Sequence, residues 1–180
     1  SGAAIAVTPA DAQEDAPART FGFALAQALG ARPFFLPDDK RVLYHTAAAV
    51  ACNYLVTLEY HAERLLAAAG IPAEEALALF LPLVQATLDN ITDQGTVAAL
   101  TGPLSRGDIK TIAGHLEALA ADVPDLLPVY RTLGLATLPL LEARGELDPE
   151  TIAALATVLR APAPLQAPAE LTTQPHNRSA

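Results

Sequence analysis

The stretch DDKRVLYHTAAAVACNYLVTLEYHAERLLAAAGIP, residues 38–72, contains no Gly or Pro until Gly70, which Ile71-Pro72 follows. Asp38 suits an N-cap and Gly70 a C-terminal stop, so the spacing predicts one helix over residues 38–69. At the α-helical rise it is about 45 Å long. Leu43, Ala47, Val50, Tyr54, Leu58 and Leu65 recur at helical spacing and form one apolar stripe. Ala48, Ala49, Ala51 and Ala62 keep the helix thin, so neighbours can approach closely. Such a helix is expected to be the central post of its domain, packed on most sides by the helices that follow.

Upstream, the pattern differs. Ala3 to Val7 is a short, continuous apolar run, as expected of a strand in a parallel sheet covered on both faces. A helical pattern from Asp11 to Leu29 puts Phe21, Leu25, Ala28 and Leu29 on one face, and Gly30 ends it. Arg32-Pro33-Phe34-Phe35-Leu36 reads as a second strand, closed by Pro37. Strand, helix, strand is a βαβ unit, and one such unit does not bury both faces of its sheet. Residues 1–37 are therefore expected to be the closing piece of a larger α/β domain. The chain opens on Ser1 and holds no methionine, which fits an expectation that a longer protein has lost its front.

Downstream the pattern is helical. A helix from Ala73 to about Asp93 carries Glu74 and Glu75 in its first turn, where the dipole favours acids, and Pro82 inside it. It stops at Gly95, with one more turn expected over Thr96–Leu100. Asp108 suits the N-cap of a helix with apolar positions Ile109, Ile112, Leu116 and Leu119. Another runs from Pro124 to Gly145, and Asp148-Pro149-Glu150 opens a last helix that reaches Arg160. The expected class is mainly α, a helical bundle around one long helix, preceded by a βαβ unit. The expected domains are 1–37, 38–160 and a Pro-rich disordered tail over 161–180.

Composition narrows the partners. Lys and Arg number 11 against 20 Asp and Glu, a formal net charge of -9, so nucleic acid and anionic membrane surfaces are not expected to be ligands. The opening lacks a basic segment followed by an apolar run, so it is no signal peptide, and no run of 18 apolar residues offers a membrane span. The single cysteine, Cys52, rules out an intramolecular disulfide and suits a reducing, cytoplasmic location. It reads as a small buried hydrophobe. No His-x-x-x-His pair occurs, and no metal site is expected.

Two motifs then point to a family. Lys40-x-x-x-Tyr44-His45-x-Ala47-Ala48-Ala49-Val50-x-x-Asn53-Tyr54-Leu55-Val56 resembles the opening of the helical domain called DUF2520. Thr101-Gly102-Pro103-x-x-Arg106-Gly107-Asp108, followed by His115-Leu116, resembles its later part. The resemblance covers roughly residues 1–159. In bacterial proteins that domain follows a Rossmann-like NAD(P)-binding domain, and it is similar to the C-terminal domains of 6-phosphogluconate dehydrogenase and its relatives. The resemblance implies that residues 1–37 close a truncated Rossmann-like domain, that NAD(P) is the cofactor of the full-length protein, and that the helical part makes a homodimer. The Gly-x-Gly-x-x-Gly turn that seats dinucleotide phosphates is absent from these residues, so the chain alone is expected to be inactive and not to bind NAD(P) tightly.

The same resemblance nominates site residues. Relatives carry a Lys near the start of the long helix and an Asn one turn later. Aligned on Ala69-Gly70-Ile71-Pro72, His45 falls near the Lys position and Ala49 where the Asn would be. An imidazole acts as a general acid or base near neutral pH, which makes His45 the catalytic candidate. Asn53 follows two turns later, about 80° around an α-helix, and is a substrate-binding candidate. Its apolar neighbours suggest that it is buried and needs hydrogen-bond partners. Arg106 either pairs with Asp108 or clamps an anionic substrate group. His45 is equally compatible with a structural role. Two classes of function follow, the substrate-side and dimerisation domain of an NAD(P)-dependent oxidoreductase, or a non-catalytic binding or scaffolding module that keeps the fold.

Overall fold

A computed structural model describes residues 2–8 and 17–162. The chain is mainly α, with a small βαβ unit at its start, as the sequence predicts. It divides into two compact units, Ser1–Tyr60 and His61–Ala180, with the boundary inside the long helix. Among the described residues no helix is long and apolar enough to cross a membrane.

In the first unit, strands β1 (Ala4–Val7) and β2 (Arg32–Phe35) pair in parallel, with Ala4 opposite Arg32 and Val7 opposite Phe35. Helix α1 (Pro17–Ala28) makes the crossover, and Gly30 at φ 74° turns the chain back into β2. The Arg19 guanidinium lies 4.3 Å from the Phe35 ring centroid, a cation–π contact that ties α1 to the sheet.

A short turn over Asp38–Lys40 then leads into α2 (Arg41–Ala48), a π turn (Ala49–Asn53) and α3 (Tyr54–Ala68). The path is helical throughout, as expected. Asp38 does not cap it; its carboxylate pairs with Arg41 at 3.3 Å, and Pro37 stands at the cap position. The expectation of a helix packed on most sides is corrected. Val42 is 79% exposed, Leu43 68% and Val56 70%. Cys52 and Asn53, both expected inside, are exposed as well. The apolar stripe gave the helix a face without specifying what covers it, and the large side chains that fill a core are gathered in later helices.

In the second unit, the end of α3 is followed by α4 (Ala73–Ala98), α5 (Ile109–Asp122), α6 (Leu127–Arg144) and α7 (Pro149–Arg160). Gly95, at φ 78° and ψ 166°, interrupts α4 where the sequence predicts a stop. The buried core lies among α5, α6 and α7, centred on Ile112, Leu141, Leu155 and Leu159. Gly134 lets α6 and α7 approach, since a Cβ there would stand 2.7 Å from a Leu159 methyl. Of the expected tail, residues 163–180 lie outside the described residues.

Of the three predicted caps, those at Asp108 and Asp148 form. Asp108 accepts from the Thr111 backbone N–H at 3.0 Å and its hydroxyl at 2.7 Å, and Asp148 does the same with Thr151 at 2.7 and 2.8 Å. The Thr111 hydroxyl and N–H hold Asp108 below its ordinary value of 3.8, and the Thr151 N–H and hydroxyl do so for Asp148. A carboxylate whose folded pKa is lowered stabilises the fold above its unfolded pKa and loses that contribution as pH falls through the folded one. Stability is therefore expected to be constant in this respect above about pH 4 and to fall below pH 3.8. In Asp108→Asn with Asp148→Asn, thermal melts should show a shallower drop over that window; an unchanged slope would remove the caps as its cause.

Candidate functional site

The first unit places His45 beside an open groove of about 710 Å³, together with Ala6, Thr8, Leu36, Arg41 and Tyr44. Thr8 follows the end of β1 and Leu36 follows the end of β2, so the groove opens at the carboxyl ends of the parallel strands. In open α/β sheets ligands collect in the crevice at that end. The helix is fixed against the strands by the Phe34 and Tyr44 rings, whose centroids are 5.6 Å apart with planes tilted by 53°. His45 is exposed.

Immediately after His45 the helix widens. The Tyr54 N–H donates to the Ala49 carbonyl, five residues back, which makes Ala49–Asn53 a π turn. Such turns occur mostly singly inside α-helices and often at functional sites. The turn starts at Ala49 and ends at Asn53. It also changes the angular count, because the 80° between His45 and Asn53 assumed α-helical turns throughout. Asn53 does not line the His45 groove.

Arg106 belongs to the second unit. It ends a short helical turn, Leu104–Arg106, and is exposed. It does not form an ion pair with Asp108, whose carboxylate is occupied by Thr111; its field adds only a minor lowering of the Asp108 pKa. Gly107 sits at φ 67°, and a Cβ there would meet the Thr151 methyl at 2.7 Å. The Gly107-Asp108 step thus turns the chain, caps α5 and leaves room for α7.

The sequence reasoning passed over one pair. His115 on α5 and Tyr130 on α6 meet through Nδ1 and the phenol oxygen at 2.8 Å, with their rings edge to face and centroids 5.8 Å apart. Burial pushes the Tyr130 pKa up. His115 was visible as part of the second motif, but its partner lies 15 residues on, in another helix, and no local pattern links them. Among the described residues no group of three His, Cys, Asp or Glu side chains is arranged to hold a metal ion.

A family model described as a domain of unknown function (DUF2520) matches residues 8–137. The chain belongs to the DUF2520 family. No curated protein and no solved structure matches it. The matched span of the DUF2520 chain takes in the βαβ crossover, the His45 helix, the Thr101–Asp108 turn and the His115–Tyr130 pair. It ends inside α6, before the buried residues of α7 that complete the core.

Proposed function

We propose that this DUF2520 chain is the substrate-side and dimerisation part of a cytoplasmic NAD(P)-dependent oxidoreductase, with His45 as its general acid or base. One observation carries the reading: His45 borders a groove at the carboxyl ends of two parallel strands, next to a π turn. In this role the imidazole gives or takes one proton at the substrate oxygen, and Arg41, on the same groove, attracts an anionic group. Asn53 and Arg106 are the further substrate contacts of the proposal.

The residues present do not fit the phosphates of a dinucleotide. The sequence between Gly2 and Gly22 offers no glycine for a close turn, and among the described residues Arg41 is the one Lys or Arg on the groove, enough for a single anionic group but not for the two phosphates of a dinucleotide. The role assigned to this chain therefore stops at the substrate and its proton. Calorimetry of NADPH and NADH against these 180 residues should give no micromolar binding; such binding would overturn this assignment. The protein as its gene encodes it, screened with both cofactors and a metabolite panel, should show cofactor-dependent turnover if the oxidoreductase reading holds.

Dimerisation is supported by apolar side chains left at the surface. Val42, Leu43, Tyr54 and Val56 on the long helix are each at least 60% exposed, and α4 leaves Leu79, Leu81 and Leu83 between 55% and 60% exposed. Within each unit, large apolar side chains left in water on one helix are the kind of surface that a partner covers. We expect a homodimer burying well over about 1,000 Å². Light scattering should give twice the chain mass at micromolar concentration, and a monomer at high micromolar concentration would contradict it.

The alternative, a non-catalytic module that keeps the fold, is favoured by Ala49, which cannot supply the substrate contact that the family resemblance implies for an Asn near that position. Cofactor-independent inertness of the whole gene product, with the dimer intact, would support it.

A further inference from the structure

We propose that the His115–Tyr130 pair closes a second binding site, within the His61–Ala180 unit, for an uncharged and largely apolar molecule bearing one carbonyl oxygen. The inference stands independently of the oxidoreductase reading and uses none of its residues.

The site is an open depression of about 390 Å³, bordered by Leu65 of α3, Ala118 and Leu119 of α5 and Val123 at the end of α5, with His115 itself exposed. That volume falls in the range of small-molecule sites, which are mostly apolar with a few convergent polar groups. Here the convergent group is the pair itself, His115 Nδ1 and the Tyr130 hydroxyl at 2.8 Å. One terminal nitrogen of Arg64 on α3 donates to both Asp125 oxygens, at 2.8 and 3.0 Å, and ties the end of α3 to the turn that follows α5. A second depression of about 330 Å³, lined by Thr101 and Pro103 of the family motif, shares His115 and Tyr130 in its lining. The pair thus borders two depressions, rather than being a hydrogen bond sealed in a core.

Proton counting fixes the kind of ligand. A neutral imidazole and a phenol sharing one hydrogen bond keep one N–H or O–H free. When the phenol donates to Nδ1, Nε2 carries the remaining proton; when Nδ1 donates, the phenol O–H is left over. Either way the pair has a donor to offer, which a carbonyl oxygen accepts. Charge disfavours the common anionic alternatives, because among the described residues Asp122 is the one carboxylate on the site and no Lys or Arg lines it. A carboxylate or phosphate there would face repulsion with no compensating cation.

The test uses acetophenone as the neutral ketone and benzoate as its anionic match, titrated into the 180-residue chain with NMR detection of the His115 and Tyr130 ring signals. Acetophenone should shift both signals saturably, with a Kd at least about tenfold below that of benzoate, since the anion must leave water without a partner charge. The double variant His115→Phe with Tyr130→Phe, which removes the donor in either tautomer and is followed by the Ala118 methyl signal, should weaken ketone binding about three- to tenfold, the usual scale of one lost hydrogen bond. Ala118→Phe, which fills the site from an exposed helix position, should abolish it and leave the melting temperature near that of the parent. If the double variant fails to fold, Ala118→Phe carries the test alone. Unmoved ring signals, equal affinity for benzoate, or undiminished binding in Ala118→Phe would each overturn the proposal. So would ring signals that move with protein concentration and not with ketone, because a second copy would then occupy the site.

Discussion

Leu155→Ala is expected to be among the most damaging single substitutions in the chain, costing about 2–5 kcal/mol. Leu155 is completely buried on α7, in the same cluster as Ile112, Leu141 and Leu159. Removing three carbons there loses their transfer free energy and leaves a cavity that helices held together on three sides relax into only partly. For a chain of this size that corresponds to a fall in Tm of about 5–15 °C. Gly134→Ala should destabilise in the same direction from the opposite side, because the added Cβ would stand 2.7 Å from Leu159. Urea denaturation with circular dichroism measures both. A loss below about 1 kcal/mol for Leu155→Ala would mean that α7 is not the keystone of this core.

His45→Asn tests function and should have the larger effect on rate. If His45 transfers a proton, turnover of the gene product should fall by about 10²–10⁴-fold, the usual range for a lost general acid or base. Stability should hardly change, since His45 is exposed and Asn keeps some of its hydrogen-bonding capacity. A structural His45 predicts the reverse, a lowered Tm and an undiminished rate in the folded fraction. The two outcomes separate cleanly because one instrument reads rate and the other reads melting. Arg41→Ala, on the same groove, should raise KM for an anionic substrate with a smaller change in kcat, as expected of a residue that binds without transferring the proton.

Local pattern was enough for much of the architecture. The apolar run of Ala3–Val7, the stop at Gly30 and the Arg32-Pro33-Phe34-Phe35-Leu36 run predict two strands with a helix between them, and the strands Ala4–Val7 and Arg32–Phe35 pair in parallel. Asp108 and Asp148 were legible as caps because a cap depends on the few residues that follow it, and both accept from a Thr three residues on. Gly95 was legible for the same reason; a single φ of 78° suffices to interrupt a helix.

Features that depend on distant partners were not legible. Asn53 and Cys52 sit among apolar neighbours and were read as buried, yet both are exposed, because helical apolar spacing names a face without naming its cover. The π turn over Ala49–Asn53 leaves no mark in the composition of an Ala-rich run, and it shifts the face on which every later residue lies. The His115–Tyr130 pair needed two helices to meet. Sequence by itself determined the helices, the caps at Asp108 and Asp148, the break at Gly95 and the parallel βαβ, all of which rest on interactions within about a turn of the chain or on the chirality of a crossover. Only the tertiary structure decided which helices own the core, that α7 completes it, and which imidazole borders a groove or a depression. Those outcomes depend on side-chain volumes meeting across tens of residues, a quantity no local window contains.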